Sequence, residues 1–206
     1  MFLSKTLNII TTDLVLSSGW KDFLTTKLPR VNFLGVIAGV LALFSILFPW
    51  WGIATTGFGI STSSMWGFFG GPSHNPDINN ASGFSNTITT YSPIILALVL
   101  LSTALAIAGS FTPRVRILAG SLVTSVAALV GYAELIGYTA SNNCQGTGCI
   151  TQPTGSETIF SVTRSWGFQQ GFYIFTAATI LVLVGMVFHQ TLTQHRSKGA
   201  TSNQKA

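Results

Sequence analysis

ILAGSLVTSVAALVGYAELIGY, residues 117–138, is the stretch on which the reading of this chain turns. It carries one charged side chain, Glu134. A helix rises 1.5 Å per residue, so roughly 20 apolar residues cross a hydrocarbon core of about 30 Å. Within it, Gly120, Thr124, Ala127, Gly131, Glu134 and Tyr138 recur at steps of 4, 3, 4, 3 and 4. That stepping keeps all six on one helix face. Small and hydroxylic residues let helices approach closely in lipid, so this face is expected to pack against another helix. Leu122, Val126, Leu129 and Ile136 occupy the opposite face. Gly35 and Gly39, and Ala104 and Ala108, offer matching small-residue surfaces elsewhere in the chain.

Three further apolar stretches of similar length flank this one: 31–51, 93–111 and 171–189. Charge fixes their orientation. Of the ten Lys and Arg, only Arg164 lies in a long connection. The others (among them Lys27, Arg30, Arg114, Arg116 and Arg196) fall in the N-terminal segment, in the turn 112–116 or in the tail. By the positive-inside rule both termini face the cytoplasm, and segments 52–92 and 139–170 face outward. The fold class expected is therefore an all-α integral membrane protein, a four-helix transmembrane bundle of the cell membrane. Residues 31–192 form its single membrane domain, between a cytoplasmic or interfacial segment (1–30) and a disordered cytoplasmic tail (193–206).

The chain has 206 residues, 48% hydrophobic and only 7% charged, where an average soluble domain is about a quarter charged. Mean hydropathy is +0.53. The net charge of +5 could point to nucleic acid. The basic residues instead flank spans, where they meet anionic headgroups, and no basic helix or zinc spacing supports nucleic-acid recognition. The bilayer is the first partner expected.

In segment 1–30, Phe2, Leu3, Leu7, Ile10 and Leu14, then Trp20, Phe23 and Leu24, are spaced roughly as on one helix face. An amphipathic helix on the cytoplasmic surface is expected, with a loosely ordered tail as the alternative. The first span is expected to act as an uncleaved signal-anchor.

The first outer loop opens with β-branched and aromatic residues in partial alternation (Thr56, Phe58, Ile60, Thr62), which predicts a short hairpin between Ile53 and Phe68. Asn80-Ala81-Ser82 is an N-glycosylation sequon on the outer side. The second outer loop contains the two cysteines, Cys144 and Cys149. Outside the cell an oxidising compartment favours a structural disulfide between them, with free thiols as the alternative. A metal site would need further ligands, and His74 is the one outer histidine. Trp-Gly-Phe occurs in both loops, at 66–68 and 166–168.

Glu134 is the sharpest single residue. An ionised carboxylate in hydrocarbon costs several kcal/mol, so it must face protein or water, or hold its proton. A transport reading makes it a proton- or cation-handling group, assembled from several subunits. A structural reading places it about one turn below the outer surface, bonded to Tyr132, Tyr138 or an outer-loop partner; Arg164, the one outer cation, is the candidate for an ion pair. His189 lacks the second buried histidine that a bis-histidine haem needs, so no cofactor is expected. No phosphate loop, paired intramembrane carboxylates or Ser–His–Asp set is present, so no enzyme is expected. Most aromatic residues at the outer boundary suit an interfacial belt. Trp66, Phe68 and Phe69 sit in mid-loop and form a candidate apolar knob for a partner protein.

With internal termini, a longer first outer loop and a Trp-Gly pair within it, the arrangement resembles claudin-type tetraspan proteins. Those carry a cysteine pair in the first outer loop, whereas Cys144 and Cys149 lie in the second. The resemblance thus implies architecture and no junction-forming role. The function expected is non-catalytic: an accessory, structural or assembly subunit of a larger membrane complex, bound to other subunits or to itself. The alternative is a small oligomeric transporter or channel using Glu134.

Overall fold

Asn32 starts the first described helix, its side chain accepting from the Gly35 N–H at 3.4 Å, which satisfies one of the donors a helix N-terminus leaves free. Helix α1 (Phe33–Ser45) then runs for 13 residues, about 20 Å. This corrects the span predicted at 31–51. Pro49 lacks an N–H and disfavours helix at Phe48, so residues 46–50 turn and Trp51 enters a strand. The structure is a computed structural model and describes residues 31–68, 81–142, 150 and 152–189. The predicted amphipathic segment, Phe69, Asn80, Cys144, Cys149 and the tail lie outside the described residues. The described residues from Asn32 to His189 belong to one compact unit.

Strands β1 (Trp51–Gly57) and β2 (Ile60–Trp66) follow, then α2 (Ala81–Phe111), α3 (Val115–Asn142), β3 (Gly155–Ile159), β4 (Val162–Phe168) and α4 (Gln170–Val187). Helix α2 starts 12 residues before the predicted span and contains Pro93. Three helices, Asn86–Phe111, Val115–Asn142 and Gln170–Val187, are long and apolar enough to cross a membrane. Each of the four described helices packs on two others, α1 on α2 and α4, α3 on α2 and α4. The bundle core holds Ala42, Ile95, Val99, Ala128, Tyr132 and Phe175.

The all-α expectation is also corrected. The hairpin predicted in the first loop is present as β1–β2, and the second loop supplies another, β3–β4. The hairpins join through β1 and β4 into one antiparallel sheet of order β2-β1-β4-β3. Register pairs Trp51 with Trp66 on one side and Phe168 on the other. Because side chains alternate, Trp51, Ile53, Trp66 and Phe168 share the face continuous with the bundle core. Gly52, Ala54, Ser63, Met65, Ser165 and Gly167 share the other.

Candidate functional site

The base of the sheet is sewn to the helix ends by main-chain bonds. Trp50 N–H donates to the Trp66 carbonyl at 2.8 Å, Gln169 N–H to the Trp50 carbonyl at 2.9 Å, and Gly171 N–H to the Pro49 carbonyl at 2.9 Å. Trp50 fills the junction. Its indole N–H donates to the Ser45 carbonyl at 2.9 Å, and its ring meets Phe68 at 4.8 Å, Tyr132 at 5.1 Å and Phe175 at 5.3 Å. Gly171 makes room for it: a Cβ there would stand 2.7 Å from both Trp50 Nε1 and the Ser45 carbonyl oxygen. Trp51 packs on Trp66 at 5.3 Å and donates to the Pro153 carbonyl at 2.7 Å.

Trp66 is therefore no protruding knob: it is 2% exposed. Phe68 is half-buried against Trp50. Trp66 and Phe68 are spent on the junction, because edge-to-face ring packing rewards burial there more than exposure to water.

On α3 the residues that face inward are Leu118, Ser121, Ser125, Ala128, Tyr132, Ile136 and Thr139. This stripe lies one residue, or about 100°, from the predicted one. Gly120 and Gly131 border α2, where added Cβ atoms would meet Leu105 Cδ1 at 3.6 Å and Ile95 Cδ1 at 3.2 Å. Thr124 donates within its own helix, to the Gly120 and Ser121 carbonyls at 3.0 Å. Ala127, Glu134 and Tyr138 are exposed. Gly35 and Gly39 are buried against α2, a Cβ on Gly39 standing 2.6 Å from Ile107 Cγ1.

Glu134 follows Tyr132 by two residues, and the Tyr132 ring lies 6.3 Å from Phe172 in the first turn of α4. The carboxylate thus sits level with the sheet end of the bundle, not at its middle. The acidic residue that register sets opposite Arg164 is Glu157, on β3.

Two sets of buried polar side chains tie helices together. Ser121 Oγ donates to the Ser102 carbonyl at 2.8 Å, Ser102 Oγ returns a bond to the Ser121 carbonyl at 3.3 Å, and Ser102 and Ser125 share a hydroxyl bond. At the far end from the sheet, Asn32 Nδ2 donates to the Gly185 carbonyl at 2.7 Å and lies 3.2 Å from His189 Nδ1. Both clusters escaped the sequence reading. Ser102 opposite Ser121 and Ser125, four residues apart, was the one signal to find them by. The Asn32–His189 contact had none, the two being 157 residues apart. The Tyr132 hydroxyl is buried and has no hydrogen-bond partner among the described residues.

Gly52, Ala54, Ser63, Met65, Ser165 and Gln169 line a shallow, uncharged groove of about 290 Å³ on the outward face of the sheet. Among the described residues, no three of His, Cys, Asp and Glu come together as metal ligands would. No protein-family model matches the chain, and no curated protein matches it.

Proposed function

We propose that this protein is a multi-pass membrane protein that acts by binding, as an accessory, structural or assembly subunit of a larger membrane complex. One observation carries the reading: the outward helix faces are apolar stripes, with Glu134 as the acid among them. Phe33, Ile37, Val40 and Phe44 on α1, Val123, Val126 and Val130 on α3, and Ile180, Leu183 and Val187 on α4 are all exposed. Such stripes suit lipid, and an exposed carboxylate beside small residues suits the polar group of a neighbouring subunit.

The exposed Arg114 and Arg116 lie near Ser110, whose carbonyl accepts from Asn32 N–H at 2.9 Å. They therefore share the end of the bundle with Asn32 and His189, opposite the sheet. Positive charge at that end supports cytoplasmic termini and an outward sheet. A transporter reading would need Glu134 to meet a second chain, since it faces away from the bundle's own interior.

Gentle detergent extraction followed by affinity isolation and mass spectrometry tests the proposal. Stoichiometric foreign subunits, lost in a Glu134→Lys variant that still folds, are expected. Isolation alone or only as a homo-oligomer would sink it. Proton- or voltage-dependent flux in liposomes, abolished by Glu134→Gln, would establish the transporter instead.

A further inference from the structure

Two phenylalanines at the tips of the hairpins break the rules of the turns they occupy. Phe58 and Gly59 link β1 to β2 with φ of 50° and 77°, and Phe160 and Ser161 link β3 to β4 with φ of 48° and 67°. Two-residue turns with positive φ at both positions match the twist of a hairpin and favour Gly, Asn or Asp. A bulky residue there is an outlier, since its Cβ crowds the backbone in the left-handed region. The fold recovers nothing for it by packing: Phe58 is 79% exposed and Phe160 91%. Strain combined with exposed apolar surface, repeated in two turns 102 residues apart, points to use at the tips.

The topology brings the tips together. β1 and β4 are antiparallel neighbours, so the turn after β1 and the turn before β4 lie at the same end of the sheet. The turns touch there, since a Cβ on Gly57 would stand 2.8 Å from Val162 Cγ2 and 3.1 Å from the Ser161 carbonyl oxygen. The hairpin axes are two strand spacings apart, about 10 Å. From Trp51 to Gly57 the strand travels about 20 Å, and burial falls from Trp51, Gly52 and Ile53 to the exposed Thr56. The tips are thus the end of the sheet remote from the bundle.

We propose that Phe58 and Phe160 form a two-pronged apolar pin that inserts into a lipid surface facing the sheet, apart from the bilayer that holds the helices. The proposal rests on the membrane reading above. Area decides between lipid and a second protein copy. Two aromatic side chains bury about 300–500 Å², well short of the roughly 800 Å² per partner that a stable protein interface needs. Gly57, Gly59, Thr56, Ser161 and Thr163 around them are uncharged. They offer no charge pattern with which to select a protein and no charge to desolvate on entering the headgroup region.

The full chain, reconstituted in phosphatidylcholine nanodiscs, is mixed with protein-free phosphatidylcholine vesicles and floated on a density gradient. Wild-type discs are expected to float with the vesicles. The Phe58→Asn/Phe160→Asn pair should lower the bound fraction by roughly tenfold or more, and Phe58→Trp/Phe160→Trp should retain it. Asn suits these φ values, so the Asn variant should melt no lower than wild type, which separates lost binding from lost folding. Wild-type discs that stay down, or Asn variants that still float, would overturn the proposal. Discs that pair without vesicles would replace lipid by a second copy. Quenching of the Phe160→Trp fluorescence by brominated lipid confined to the discs would place the tips in the host bilayer and overturn it too. Failure of the chain to enter discs would instead remove the membrane reading on which it stands.

Discussion

Asn32 Nδ2 lies 3.2 Å from His189 Nδ1 while donating to the Gly185 carbonyl at 2.7 Å, so one amide joins the N-cap of α1 to the end of α4. The amide can donate to both only if Nδ1 is an acceptor, which places the ring proton of neutral His189 on Nε2. Replacing Asn32 by Ala removes the cap and both bonds inside a buried site. A loss of about 2 kcal/mol is expected, read as a lower melting temperature in detergent. His189→Ala should cost less, since the cap and the Gly185 bond survive.

Gly171→Ala is expected to destabilise by about 1–3 kcal/mol. The new methyl meets the Ser45 carbonyl and the Trp50 indole, both parts of the rigid junction. Tryptophan emission and thermal melting would report it together. Gly67→Ala is the control, its nearest neighbour being 3.5 Å away, and should change little.

Tyr132→Phe should leave stability unchanged or raise it by about 1 kcal/mol. The buried hydroxyl it deletes has no partner among the described residues, and the ring contacts with Trp50 and Phe172 are kept. A clear loss on melting would mean that the hydroxyl is engaged.

A double-mutant cycle on Ser102→Ala and Ser125→Ala should give a coupling of roughly 0.5–1.5 kcal/mol. Their hydroxyls bond each other between α2 and α3, away from water. Additive losses would show that each serine acts only through its own helix backbone.

Glu134→Gln is expected to leave the stability of the isolated chain within about 0.5 kcal/mol of wild type, as for an exposed position. Its effect should fall on partner recovery. Glu157→Lys, opposite Arg164 in the β3–β4 register, should destabilise by up to about 1 kcal/mol through like-charge repulsion. A large loss from Glu134→Gln with none from Glu157→Lys would favour the Glu134–Arg164 pairing expected from charge alone.

Chain-local properties were legible in the sequence. Apolar run length marked the helices ending at Phe111, Asn142 and Val187, and alternation around Thr56–Thr62 marked the first hairpin. Small residues at 35 and 39 marked a close helix contact. Each of these depends on residues within a few turns of one another, so composition and period suffice. Run length misled at 31–51, because Trp50 and Trp51 are as apolar as helix residues but are bound by Trp66, Phe168 and Gln169 from other parts of the chain. The inward face of α3 followed the same logic. Steps of 3 and 4 fit both the Gly120 stripe and the Ser121 stripe, and only the position of Ser102 on α2 selects the second. The joining of two hairpins into one sheet, the closing of Asn32 on His189 and the placing of Phe58 and Phe160 at one end of the sheet are relations between distant segments. They were decided by tertiary structure alone, because hydrogen-bond register and ring packing exist only once both partners are in place.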